Sequence, residues 1–338
     1  MSHEQLPESW IDYLSRLDVE RLELTNDEIL DAVEGGLRLQ GAGEAVIEPR
    51  VHLEPGVSNG HFNVLRGSLG GDIDLAGVKV VGDFVDNYKV GLPSELALLN
   101  LMDRRTGQPR AVVDASFLTD MRTGAVTALG AKHLARKGSK VLGHIGARGT
   151  AYWNVRLLDH LFDFDEIRVH SLRTESREAF ARRLSEDLGK PVVATTDWEA
   201  CVRGADVIVE ASRLARPEVH LRTEWIARGA FVVPYGTMSA VDLDLLTIMD
   251  KVVVDDWGQC KGGKFGSLRA HVEQGLLSES TLHGELCQVV VGDRAGRESD
   301  DETTLLWHRG LSLSDIALGH AMLRKAAALG IGQKLRYS

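Results

Sequence analysis

The second half of the chain carries a series of short apolar runs that helix-like segments separate. Six of these runs lie between Lys140 and Asp256, in the order KVLGHI, EIRVHS, KPVVATT, DVIVEAS, AFVVPY and KVVVDD. None alternates strictly between apolar and polar residues, and stretches such as ESREAFARRLSEDLG intervene. Apolar strands that alternate with helices are typical of a parallel sheet covered on both faces. The chain is therefore predicted to contain a doubly wound α/β domain.

The residues before this domain predict a different architecture. Thr25 and Glu28 form a capping box, which is a signal for the start of a helix. Residues 46–113 contain short β-rich runs, and DRRTGQPRAVVD predicts a hairpin that turns at Thr106 and Gly107. We therefore expect an antiparallel or mixed sheet with a helix before it.

Two longer helical patterns complete the prediction. SFLTDMRTGAVTALGAKHLA begins at Ser116, and SLSDIALGHAMLRKAAALGIG is an amphipathic helix that Gly330 closes. We predict an α/β protein in two discontinuous parts. A Rossmann-like doubly wound domain takes residues 129–307, and an N-terminal α+β domain takes residues 1–128 and recovers residues 308–338.

Composition excludes several classes of protein. A chain of 338 residues has room for two domains, and its formal net charge of −10 argues against a general nucleic-acid binder. No apolar run approaches the ~18 residues of a membrane span. The three cysteines have no CxxC spacing, so we expect neither disulfides nor a metal cluster, and the cytoplasm fits best.

The stretch GHIGARGTA is the first candidate site. It follows a strand and precedes a helix, where free N–H groups suit a dinucleotide diphosphate. Gly143, Gly146 and Gly149 give the spacing GxxGxxG, whereas the dinucleotide template GxGxxG/A would need glycine at Arg148. Arg148 either narrows the approach to the diphosphate or adds a guanidinium to it. The alternative is a tight turn without a ligand.

The end of the next strand bears on the choice of cofactor. A carboxylate about 20 residues past the turn usually holds the ribose hydroxyls of NAD. Here the strand EIRVHS ends in Ser171, and Arg173 follows. This pattern favours NADP over NAD, although Arg173 could equally be a solvated surface arginine.

Several motifs together resemble the ornithine cyclodeaminase/mu-crystallin family. They are VKVVGDFVDN with a following GLP, ASFLTDMRTGAVTALGAKHLA, GHIGARGTA, VRGADVIVEAS and GLSLSDIALGHAMLRKAAALGIG, in that order. The resemblance implies a dimer with an N-terminal substrate-binding and dimerisation domain and a Rossmann domain. Members of the family include cyclodeaminases, amino-acid dehydrogenases and imine reductases.

The resemblance also implies particular site residues. Arg50, Lys79 and Arg122 fall where the family places the cations that hold a substrate carboxylate, a role that suits arginine because it can bind a carboxylate through two hydrogen bonds. From the sequence alone, Lys79 could instead be an outward-facing strand residue. Ala147, Arg148, Gly149 and Thr150 match the diphosphate loop, and Ser212 matches a position that lines the cofactor.

Three features depart from the family. In cyclodeaminases an aspartate follows the fifth strand, and our alignment places Gly236 there, which makes cyclodeamination doubtful. His308 stands in an unusual WHRG segment and could donate or accept a proton, given an unperturbed pKa near ~6.5, or simply pack. The glycine-rich block with Lys261 and Lys264 predicts a lid or an ordinary exposed loop.

The leading functional prediction is an NAD(P)-dependent oxidoreductase, of the imine reductase or amino-acid dehydrogenase type, acting on the C–N bond of a small amino or imino acid. Lys79, Arg122 and His308 are its predicted catalytic residues. One alternative is an ornithine cyclodeaminase-type ammonia lyase, and another is a non-catalytic ligand-binding or accessory subunit. The family resemblance implies a homodimer.

Overall fold

The computed structural model describes residues 8–57, 60–214, 216–263 and 265–338, so Lys264 of the glycine-rich block lies outside the described residues. The chain forms two compact units. The first comprises Met1–Thr119 and Leu311–Ser338, and the second comprises Asp120–Gly310. The boundary between Thr119 and Asp120 lies in the first turn of a long helix, Ser116–Leu134. The amino-acid composition does not change at this point, so no sequence pattern predicts the boundary.

The helices of the described residues have the following bounds: α1 (Arg16–Arg21), α2 (Asn26–Gly41), α3 (Ser116–Leu134), α4 (Ala151–Phe162), α5 (Thr174–Leu188), α6 (Trp198–Val202), α7 (Trp257–Lys261), α8 (Arg269–Glu273), α9 (Leu286–Val291) and α10 (Ser312–Leu329). The strands have the following bounds: β1 (Trp10–Leu14), β2 (Ala45–Leu53), β3 (Gly60–Leu69), β4 (Leu75–Phe84), β5 (Glu95–Asp103), β6 (Pro109–Asp114), β7 (Val141–Ile145), β8 (Glu166–His170), β9 (Val192–Ala194), β10 (Val207–Glu210), β11 (Phe231–Pro234), β12 (Lys251–Val254), β13 (Gly284–Glu285), β14 (Thr304–Trp307) and β15 (Gln333–Arg336).

The first unit is a mixed sheet with helices α2 and α10 against it. Its strand order is β15-β1-β6-β5-β4-β3-β2, antiparallel except where β1 runs parallel to β6. The predicted capping box is confirmed, since Thr25 accepts a hydrogen bond from the backbone N–H of Glu28. The predicted hairpin is confirmed as β5–β6, and Gly107 in its turn has the positive φ of 73° that glycine adopts readily.

The second unit is an all-parallel sheet in the order β13-β12-β14-β11-β10-β7-β8-β9. The six predicted apolar runs form β7 to β12, and every residue of β10, β11 and β12 is buried. The fold class is therefore confirmed. The strand order reverses between β7 and β10, and ligands of such sheets bind at the carboxyl ends of the strands flanking that point.

Four strands were not predicted. β13 and β14 are short runs of two and four residues, and β1 and β15 pair with each other between opposite ends of the chain. All four residues of β15 are exposed and two of them are charged, so no apolar pattern identifies it. The described helices include none that is long and apolar enough to cross a membrane.

Candidate substrate and cofactor sites

Lys79 lies inside the first unit. Gly77, Lys79 and Val81 alternate along β4 on the buried side of the sheet, so the alternative of an outward-facing lysine does not hold. The Lys79 side chain is fully buried and donates to Asp315 Oδ1 at 2.6 Å and to Thr119 Oγ1 at 3.0 Å. A buried charge needs an opposite charge of this kind, since an isolated ammonium would cost several kcal/mol.

Asp315 is a residue that the sequence analysis missed. It sits in the first turn of α10, and its side chain is fully buried. The two partners are 236 residues apart, so no local pattern joins them. The one available signal is a carboxylate on an otherwise apolar helix face. Such a carboxylate needs a cation from elsewhere in the chain when it is buried.

Arg50 lies on β2 of the same unit. The pairing of β2 with β3 shifts between Glu48 and Val51, so Pro49 and Arg50 occupy a β-bulge. Proline is tolerated at such positions, and a bulge re-aims the side chain next to it. Arg50 is half-buried there.

The glycine turn of the second unit joins β7 to α4. Gly146 has a φ of 113° and Gly149 a φ of 56°, both in the region that favours glycine. A Cβ on Gly146 would lie 2.8 Å from the carbonyl oxygen of Ala211, which leaves no room for a side chain. Arg148 is exposed, and its carbonyl accepts from Ala151 N at 3.3 Å. The N-terminus of α4 carries no side-chain cap, so its N–H groups suit an anion.

Gly143 has a different environment from the other two glycines. It lies within β7, and a Cβ at this position would overlap the carbonyl group of Cys201 on α6. Glycine is therefore required for close packing of strand and helix. Ala147, by contrast, is in the turn itself and is half-buried.

The end of β8 has cationic neighbours. Ser171 Oγ donates to the Arg173 carbonyl at 3.3 Å, and Arg177 Nη1 donates to the Ser171 carbonyl at 3.4 Å. Arg173 is exposed at the start of α5. Arg177, one turn further on, was not predicted, although its spacing of four residues from Arg173 on a helix places both on one face.

Ser212 belongs to a buried cluster around Glu210. The fully buried Glu210 carboxylate accepts from the Ser212 N–H at 2.8 Å, from the Ser212 hydroxyl and from Ser267 Oγ at 2.7 Å. Burial raises the pKa of Glu210, and the hydrogen bonds oppose this rise only in part. A Cβ on Gly236 would lie 2.7 Å from each carboxylate oxygen. Glu210 was not predicted, because the run VIVEAS has the pattern of an apolar strand.

His308 is buried at the end of β14. Its Nε2 lies 3.0 Å from Thr127 Oγ1, and its ring stacks on Tyr235 with centroids 4.5 Å apart. Burial, together with Arg122 and Arg309, lowers the pKa of His308 to about 3. The ring is therefore neutral near pH 7, which favours a hydrogen-bonding role over that of a cationic proton donor.

Arg122 lies on α3 in the second unit and is 6% exposed. Its guanidinium occupies the space that a Cβ on Gly310 would need, and Gly310 has a φ of 79°. Both observations require glycine at position 310. The WHRG segment thus brings His308 and Arg122 together within this unit.

The second unit is a Rossmann-like α/β fold with a glycine turn at the switch point of its sheet. The chain belongs to the ornithine cyclodeaminase/mu-crystallin family, whose profile matches residues 11–328. An alanine dehydrogenase of Archaeoglobus fulgidus is 32% identical over 328 residues, 96% of this chain and 98% of the relative.

Two solved structures agree with this assignment. The Δ1-pyrroline-2-carboxylate reductase of Thermococcus litoralis, in complex with NADH and L-proline, has a TM-score of 0.89 at 28% identity, over 96% of this chain and 99% of its own. An archaeal alanine dehydrogenase dimer with bound NAD has a TM-score of 0.89 at 31% identity, over 98% of this chain and 100% of its own. The homologues are thus amino-acid dehydrogenases and imine reductases.

Proposed function

We propose that the chain is an NAD(P)H-dependent amino-acid dehydrogenase or imine reductase that acts on the C–N bond of a small amino or imino acid. The observation that carries this proposal is the similarity to dehydrogenases and reductases of this kind along nearly the whole chain. The buried cations and the glycine turn supply groups that such a reaction needs.

The glycine turn fits a dinucleotide. Gly146 has no room for a side chain, Gly149 takes the conformation of a tight turn, and the helix behind them begins without a side-chain cap. Backbone N–H groups and the Thr150 hydroxyl would hold the diphosphate, and Ser212 would line the cofactor. The exposed Arg148 would add a guanidinium to the phosphates. When bound, the nicotinamide supplies or accepts the hydride.

We further propose that the cofactor is NADP(H). Ser171, Arg173 and Arg177 supply a hydroxyl and two guanidiniums at the end of β8, where an NAD site normally has a carboxylate. Replacing both arginines by alanine should raise the Kd for NADPH about tenfold and leave that for NADH within about twofold, because only the former has a 2′-phosphate to pair.

Isothermal titration with both dinucleotides would measure this difference. Arg182→Ala, an exposed arginine on the same helix, is the matched control. Equal weakening of NADH and NADPH would contradict an NADP site.

On the substrate side, Lys79, Arg50 and Arg122 are the cations that we propose to serve the substrate. Asp315 neutralises Lys79, so this pair adds little net charge. Lys79 is therefore better suited to donating a hydrogen bond or a proton to the substrate, and the arginines to binding the carboxylate. His308 would contribute as a neutral hydrogen-bonding group.

Cyclodeamination is the less favourable alternative. Our alignment places Gly236 where cyclodeaminases have an aspartate, and Glu210 occupies the space that a side chain at this position would enter. A second carboxylate beside a buried one is electrostatically unfavourable.

The proposal is tested with a panel of substrates. Pyruvate and other 2-oxo acids with ammonia or methylamine, and cyclic imino acids such as Δ1-pyrroline-2-carboxylate, would be incubated with NADPH and with NADH. Oxidation of either cofactor with one substrate class supports the proposal. Failure of both dinucleotides to bind would favour a non-catalytic ligand-binding protein, and release of ammonia from ornithine without net cofactor oxidation would favour cyclodeamination.

A homodimer is the proposed assembly, and an archaeal homologue is a dimer. Leu96 and Leu98 point away from the buried face of β5 and are 42% and 47% exposed. Exposed apolar side chains on a sheet face are typical of an interface. Light scattering at several concentrations would measure the mass in solution. The cytoplasm remains our proposed location, since all three cysteines are free and buried.

A further inference from the structure

Tyr235 crosses the switch point of the second unit's sheet. It follows β11 directly, whereas Thr150 and Asn154 belong to the turn and helix that follow β7. Strand β10 lies between β7 and β11, so the tyrosine side chain passes over its carboxyl end. The phenol oxygen reaches Thr150 Oγ1 at 2.5 Å and also accepts from Asn154 Nδ2.

The carbonyl of Gly146, which can only accept, determines which atom donates in each of these hydrogen bonds. His144 Nδ1 lies 3.0 Å from this carbonyl oxygen, and a carbonyl can only accept, so Nδ1 carries the hydrogen. Burial lowers the pKa of His144 to about 4, and the ring is neutral. Its Nε2 is therefore an acceptor, and Asn154 Nδ2, 3.4 Å away, must be the donor.

The hydrogen bonds continue from Asn154 to the glycine turn. Asn154 presents its NH2 group to His144, and the second hydrogen of that group is donated to the Tyr235 oxygen. Burial raises the pKa of Tyr235, so the phenol keeps its proton. Among the described residues, the acceptor within reach of that proton is Thr150 Oγ1. Thr150 therefore accepts from Tyr235, and its own hydroxyl hydrogen must point elsewhere.

Thr150 has no competing local role. It precedes α4, but its side chain makes no capping hydrogen bond to the helix. A threonine in this position would ordinarily accept from an N–H of the first turn. Here the Thr150 hydroxyl accepts from Tyr235 instead and is left as a donor at the glycine turn.

We propose that the hydrogen-bond chain from His144 through Asn154 and Tyr235 makes the Thr150 hydroxyl an obligatory donor to an anionic oxygen at the glycine turn, with Tyr235 as the positioning residue that fixes its direction. The inference rests on the proposed function, because it assigns that oxygen to the diphosphate of NAD(H) or NADP(H). This positioning role accounts for the tyrosine at position 235, whose hydroxyl is buried against the glycine turn.

A double-mutant cycle tests the coupling. The probe is ADP-ribose, which carries the diphosphate without the nicotinamide, and its Kd is measured by titration calorimetry for wild type, Tyr235→Phe, Thr150→Val and the double variant. Loss of a hydrogen bond to a charged group should raise the Kd about tenfold in Thr150→Val and about fivefold in Tyr235→Phe. The double variant should bind within about twofold of Thr150→Val, since both changes remove one interaction.

Two further variants complete the test. Thr150→Ser keeps the hydroxyl and should bind like wild type. Tyr152→Phe removes a phenol on the same helix that contacts Arg156, and should leave the Kd unchanged. Thermal unfolding of each variant shows that it is folded.

The outcomes separate the two proposals. Independent effects, with a roughly fiftyfold loss in the double variant, or wild-type affinity in a folded Tyr235→Phe, would overturn the positioning role alone. If wild type binds neither ADP-ribose, NADH nor NADPH, the proposed function fails, and the inference fails with it.

Discussion

Asp315 and Glu210 are two carboxylates that are buried to the same extent but contact different groups. Each is 0% exposed, one in the first unit and the other in the second. Asp315 faces the ammonium of Lys79 at 2.6 Å, whereas the Glu210 carboxylate accepts hydrogen bonds from uncharged groups, including the N–H and hydroxyl of Ser212 and the hydroxyl of Ser267. The first carboxylate is matched by a charge and the second by dipoles.

Burial alone therefore does not decide how a carboxylate behaves. An ion pair in the interior holds two charges in place, and removing either partner leaves the other uncompensated. A carboxyl group among hydroxyls can avoid the cost of burial by taking up a proton, which is the direction in which the pKa of Glu210 is shifted. The Lys79–Asp315 pair should therefore respond strongly to substitution, and the Glu210 cluster strongly to pH.

Lys79→Met should produce the largest effect. It removes the ammonium that the buried Asp315 faces at 2.6 Å, and we expect a loss of about 3–5 kcal/mol in the free energy of unfolding. Turnover should be abolished, because the group proposed to donate a hydrogen bond or a proton to the substrate is gone. Thermal unfolding and the assay with the preferred substrate would measure both effects.

The Lys79→Met/Asp315→Asn double variant separates the effect of the buried charges on stability from the role of Lys79 in turnover. It removes both charges and should recover most of the lost stability while remaining inactive. Retained turnover in either variant would contradict the proposed role of Lys79.

Gly236→Asp should have the next largest effect. It adds a second carboxylate in contact with Glu210, and at pH 8, where Glu210 is expected to be charged, we expect a loss of roughly 3 kcal/mol from steric overlap and like-charge repulsion. Gly236→Ala carries the steric part alone and should be less destabilised when both are compared by chemical denaturation. An aspartate variant that is as stable as the alanine variant would show that Glu210 is protonated or displaced.

Glu210→Gln should have the smallest effect and the clearest pH dependence. Because burial raises the native-state pKa above the unfolded value, the protonated form contributes stability below the unfolded pKa, and this contribution is lost as pH rises through the native pKa. Glutamine does not ionise. It can accept from the Ser212 N–H and donate to Ser267, whose hydroxyl lies 3.2 Å from the Gly236 carbonyl.

The variant should match wild type at pH 5 and exceed it by about 1 kcal/mol at pH 8, measured by thermal unfolding. Glu178→Gln, an exposed position on α5, is the control and should show no such divergence. A constant difference between pH 5 and pH 8 would mean that Glu210 does not titrate in this range.

Local signals predicted much of the fold. The capping box at Thr25, the Thr106–Gly107 turn and the apolar runs β7 to β12 each depend on residues close in sequence, and the structure bears all of them out. Strands β1 and β15 could not be predicted, because their residues do not form a recognisable strand pattern and their pairing joins distant parts of the chain.

The candidate sites divide in the same way. The glycine turn was visible because its residues are contiguous. Asp315, Glu210 and Tyr235 were not, since each acts through partners that only the fold brings near. The sequence does not distinguish a buried carboxylate or phenol from an exposed one until its neighbours in the fold are known.

The pairing of β1 with β15 sets an order of events during synthesis. Trp10 lies opposite Arg336, and α10, which carries the partner of Lys79, also comes from the last 28 residues of the chain, Leu311–Ser338. The second unit is contiguous and can fold while the ribosome is still translating. The first unit needs residues 311–338, so a nascent chain that has not reached them holds Lys79 without Asp315 and β1 without β15. A product that stops before Leu311 would lack both strand β15 and the ion pair, so synthesis of residues 311–338 is a condition for assembling this half of the protein.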